Sequence, residues 1–77
     1  MMNKIERLED RIRRNKREIK NLKNILVNTE DEYEAENLAE DILLRQLIVT
    51  EARKELDKIM MGYGYASYDD YLASECA

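Results

Sequence analysis

Apolar side chains near the start of the chain recur at Ile5, Leu8, Ile12, Ile19, Leu22 and Leu26. This is the three-then-four spacing of a heptad seam, interrupted once at Asn15. The pattern predicts a helix over residues 3–27 with one apolar stripe and basic residues fanned over its other faces. Asn15 falls in the seam, where a lone polar residue sets register or partner number at some cost in stability. The pattern stops at Asn28-Thr29-Glu30-Asp31-Glu32. There Thr29 and Glu32 have the spacing of a capping box, and the following acids suit a helix N-terminus. A second strict alternation then runs through Ala35, Leu38, Ile42, Arg45, Val49, Ala52, Leu56 and Ile59, predicting a helix over 30–61. Neither helix can bury its stripe alone. With so short a connection, the economical arrangement is an antiparallel two-helix coiled-coil hairpin.

Two features exceed a simple hairpin. Ile42, Leu43, Leu44, Leu47, Ile48 and Val49 cover more than half the circumference of the second helix, and one neighbouring helix cannot cover all of that. The surplus face predicts a second contact, preferentially a symmetry-related copy completing a four-helix bundle. After Met61 comes Gly62-Tyr63-Gly64-Tyr65, where glycine permits a left-handed turn and a helix stop. Ser67 and Asp70 then repeat the capping spacing and open a short helical tail over 67–76, with Tyr68, Tyr71, Leu72 and Cys76 on one face. Folding Tyr68, Tyr71 and Leu72 back over the exposed leucines is the structural expectation for this tail. Tyrosines are also favoured anchors in recognition surfaces, so Tyr63, Tyr65, Tyr68 and Tyr71 are candidate contact residues beside Leu43, Leu44, Leu47 and Ile48. Arg45, charged within an apolar seam, needs a carboxylate partner or a local opening, and reads as an interface or specificity residue.

Size and composition narrow the function. Seventy-seven residues form a single helical domain, 1–77. A folded chain of this mass is expected to expose about 4,900 Å². The absence of His and the single Cys remove the usual general base, cysteine-cluster metal sites and intramolecular disulfides. No catalysis, cofactor or metal is therefore expected. Glu36 and Glu40, one helical turn apart, lack the His that a helical di-metal site takes. Charge from the fourth residue and the lack of an apolar leader or membrane-length run predict a cytoplasmic protein without a membrane segment, with Cys76 reduced.

Charge is segregated. Residues 1–27 hold nine bases against four acids, and residues 28–77 hold four bases against thirteen acids. An antiparallel fold would set Lys16, Arg17, Lys20 and Lys23 opposite the acidic stretch from Glu30 to Asp41. The cluster Arg11, Arg13, Arg14 and Arg17 supports an alternative, a nucleic-acid-binding helical dimer. The net charge of −4 and the lack of aromatic residues in the first helix weigh against it. Glu55-Leu56-Asp57-Lys58-Ile59, with Tyr63 beyond it, resembles the second-helix motif of the small helical-hairpin Spo0E-type phosphatases, which act on a sporulation response regulator. The resemblance spans about six residues, and the Ser-Gln preceding Glu-Leu-Asp in that family is Arg53-Lys54 here. It implies Glu55 and Asp57 as the residues of a response-regulator phosphatase. The leading expectation is a non-enzymatic protein-interaction module: a small acidic regulator, adaptor or inhibitor of a larger protein, of the kind phages use, acting as a homodimer.

Overall fold

The computed structural model describes residues 3–75; Cys76, expected on one face of the tail helix, lies outside the described residues. Three helices follow in order, α1 (Lys4–Val27), α2 (Glu32–Gly62) and α3 (Tyr68–Glu75), with no strand among the described residues. α1 starts at Lys4 rather than at residue 3, because Asn3 is its cap, with its side chain accepting from the Glu6 amide at 2.8 Å. At its end two polar side chains reach back to carbonyls of the last turn: Asn28 Nδ2 donates to the Asn24 carbonyl and Thr29 Oγ1 to the Ile25 carbonyl, which also accepts from the Asn28 amide.

Thr29 is therefore not the cap of the second helix. That role belongs to Asp31, whose carboxylate accepts from the Tyr33 amide at 2.8 Å and the Glu34 amide at 3.5 Å. A hydroxyl can donate to a carbonyl, whereas an ionised carboxylate only accepts, so each goes to the helix end that needs it. α2 accordingly begins at Glu32 rather than at residue 30.

The seam is formed by the residues whose spacing marks it, joined by Met60, which the spacing does not mark. Leu8, Leu22, Ile42, Val49, Ala52, Leu56 and Met60 are buried, and the remaining seam positions are half-buried. Leu8 packs with Ala52 and Leu56, flanked by Ile5, Ile12 and Ile59, while Asn15 meets Arg45. Numbers rising along α1 thus meet numbers falling along α2, and the two helices run in opposite directions. α2 ends at Gly62, where the Tyr65 amide donates back to the Met60 carbonyl across Gly64, whose φ of +96° only glycine adopts without strain. The chain reverses there, and α3 returns along the pair. Ser67 Oγ accepts from the Asp70 amide and Asp70 Oδ2 from the Ala66 amide, so the expected capping pair holds the start of α3.

The molecule is 49 Å long and exposes 6,102 Å², about 1,200 Å² more than a compact chain of this mass. No helix among the described residues is long and apolar enough to cross a membrane.

Candidate functional site

The excess surface includes an apolar face in the middle of α2. With Ile42 and Val49 turned toward α1, the pairs Leu43/Leu47 and Leu44/Ile48, each four residues apart, project elsewhere on the helix. They remain 64% (Leu43), 62% (Leu44), 57% (Leu47) and 41% (Ile48) exposed. Fully withdrawing one leucine or isoleucine side chain from water is worth roughly 1.5–3 kcal/mol, so the part of that still open to Leu43, Leu44, Leu47 and Ile48 favours covering this face. Leu43 and Leu44 also line a shallow depression with Glu40.

Arg45 does not belong to this face. It is half-buried in the seam, where its Nε donates to Asp41 Oδ1 at 3.2 Å and its Nη1 to Asn15 Oδ1 at 3.2 Å. Asn15 in turn donates to the Arg11 carbonyl at 2.8 Å. The two polar residues of the two seams therefore answer one another, and the expected carboxylate partner is Asp41. Both residues interrupt an apolar stripe, and that was the available signal for their pairing.

The tail folds back, but not over the exposed leucines. Tyr68 packs instead on the cluster of Leu8, Ala52 and Leu56. Three polar contacts hold it there: its amide donates to Asp57 Oδ1 at 2.8 Å, its hydroxyl donates to the Glu9 carboxylate, and Arg53 bridges to Asp69 at 2.8 Å. Burial and then the Glu9 hydrogen bond push the Tyr68 hydroxyl up to about 12. Tyr71 packs between Tyr65 and Tyr68, with ring centroids 5.2 Å and 6.2 Å away. Tyr63, by contrast, is 72% exposed. It borders a hollow lined by Ile5, Met60, Tyr65 and Tyr71. Periodicity gives no hint of Glu9, Asp57 or Arg53 as tail anchors, because all three read as ordinary solvent-facing charges.

The charged candidates are dispersed. Arg11, Arg13, Arg14 and Arg17 are all exposed. Arg13 and Arg14 both close on Asp10 at 2.9 Å, and the Arg13 hydrogen bond holds that carboxyl below its usual range. None of the ion pairs among the described residues links Lys16, Arg17, Lys20 or Lys23 to the acidic stretch, so the expected charge matching is not made by direct contacts. The Asp57 carboxylate, implied as a phosphatase residue, is engaged by the Tyr68 amide, and Glu55 is exposed. Glu36 and Glu40 are exposed, and no set of three metal-ligating side chains converges among the described residues. Compared with protein families, curated proteins and solved structures, the chain matches none of them.

Proposed function

We propose that the chain is a non-enzymatic protein-interaction module, an antiparallel coiled-coil hairpin that pairs with a second copy into a four-helix bundle. In this reading it acts as a small acidic regulator, adaptor or inhibitor of a larger protein. One observation carries it: Leu43, Leu44, Leu47 and Ile48 stay in solvent after α1 and α3 have taken their places. The surface in excess of a compact chain supports the same conclusion, since association is what would remove it. With that face taken by the second copy, the tyrosine end, with exposed Tyr63 beside its apolar hollow, is the surface offered to the larger protein.

The test is solution mass by light scattering across a hundredfold range of concentration, under reducing conditions so that Cys76 cannot link chains. A mass near twice 9.2 kDa is expected. The double variant Leu43→Lys, Leu47→Lys should be a monomer of unchanged helicity, because neither side chain is in the buried seam. A wild-type monomer at every concentration would remove the dimer from this reading.

A further inference from the structure

The face of α2 turned away from α1 carries a charge pattern that changes sign about its centre, acidic toward one end and basic toward the other. Positions 32, 36, 40, 43, 47, 50, 54 and 58 recur at helical spacing, and all eight are exposed. Along this strip Glu32, Glu36 and Glu40 precede the leucines, and Lys54 and Lys58 follow them. Glu36 and Lys54 are equidistant from Arg45, as are Glu32 and Lys58, and so are Leu43 and Leu47. Glu32, Glu36 and Lys58 take part in none of the ion pairs among the described residues, and Lys54 reaches only Glu51, at 3.7 Å between two well-exposed side chains.

We propose that the second copy docks α2 against α2 in antiparallel orientation about a two-fold axis that crosses the exposed face between Leu43 and Leu47, level with residue 45, with Glu32 and Glu36 of each chain facing Lys58 and Lys54 of the other. This rests on the dimer proposed above and specifies its geometry. A two-fold axis requires one surface to complement itself. About this axis Leu43 of one copy meets Leu47 of the other, while Leu44 and Ile48 close one flank, so the apolar centre and both charged ends match in a single register. A parallel arrangement would set Glu36 against Glu36 and Lys54 against Lys54, placing like charges along about 40 Å of helix. The leucines supply the attraction in either orientation, and the charges choose between them.

Charge reversal decides the matter. Each of the double variants E32K/E36K and K54E/K58E should weaken self-association about tenfold or more at low salt. The variant carrying all four substitutions in one chain should restore it, and the differences should shrink as salt screens them. Circular dichroism confirms that each variant remains helical, since all four positions are exposed. A dimer that loses association with L43K/L47K but is indifferent to both charge reversals would overturn the antiparallel register and leave the dimer standing. A wild-type chain that is monomeric throughout would overturn both.

Discussion

Tyr68 joins three parts of the chain at once: its ring covers the Leu8, Ala52 and Leu56 cluster, its amide is held by Asp57 on α2, and its hydroxyl by Glu9 on α1. Burial and the Glu9 bond favour the protonated phenol in the folded state, so its proton is bound more tightly there than in the unfolded chain. The resulting stabilisation is complete below the ordinary tyrosine value of about 10 and is lost as pH rises from there through about 12. Tyr68→Phe should cost about 1 kcal/mol at neutral pH through the lost hydrogen bond. Its melting temperature should also fall less than that of the wild type between pH 10 and pH 12. Thermal melts of both proteins across that window isolate Tyr68 from the other tyrosines. That Tyr68 folds back onto the helices was legible from its place in an aromatic tail, though not the cluster on which it packs. Glu9 as its partner was not, because the contact spans 59 positions and exists only once the register of α1 on α2 and the reversal at Gly64 are set.

At the level of elements, the seams announce themselves and the turn between them does not. Every position that heptad spacing marks in α1 and α2 is buried or half-buried, because burial of one stripe is what holds either helix in place; buried Met60 and the half-buried Glu9, Arg53 and Asp57 lie outside that spacing. Spacing reads the connection as one capping box, Thr29 with Glu32, and does not show which helix end Thr29 serves. Hydrogen-bond chemistry does: Thr29 finishes α1 and Asp31 starts α2. Asp31→Ala should therefore cost about 1 kcal/mol of stability in denaturant unfolding. Thr29→Val, which keeps the shape and loses only the bond to the Ile25 carbonyl, should cost less; the reverse order would return the cap to Thr29. The same displacement of the turn decides which polar residues meet. A fold about residues 28 and 29 sets Asn15 nearer Ile42, whereas the observed turn brings it to Arg45.

For the whole molecule, the surplus apolar face of α2 was readable as too wide for one neighbour, and the structure leaves it uncovered. The destination of the tail was not readable, since covering the mid-helix leucines and covering the end of the seam are equally apolar choices. Asp57, Arg53 and Glu9 select the second. That selection reverses the usual order of fraying. In a pair of packed helices the free ends open first, but here they carry the fully buried Leu56 and Met60 and the α3 strap, while beyond the Asn15–Arg45 layer the loop half has only Leu22 and Ile42 buried. Amide hydrogen exchange should accordingly be slowest around Leu8 and Leu56 and faster from Leu22 through Ile42, with limited proteolysis entering at the connection before α1 or α2 is shortened from its outer end. Local opening would then start at the bend, parting α1 from α2 there while their outer ends stay fastened.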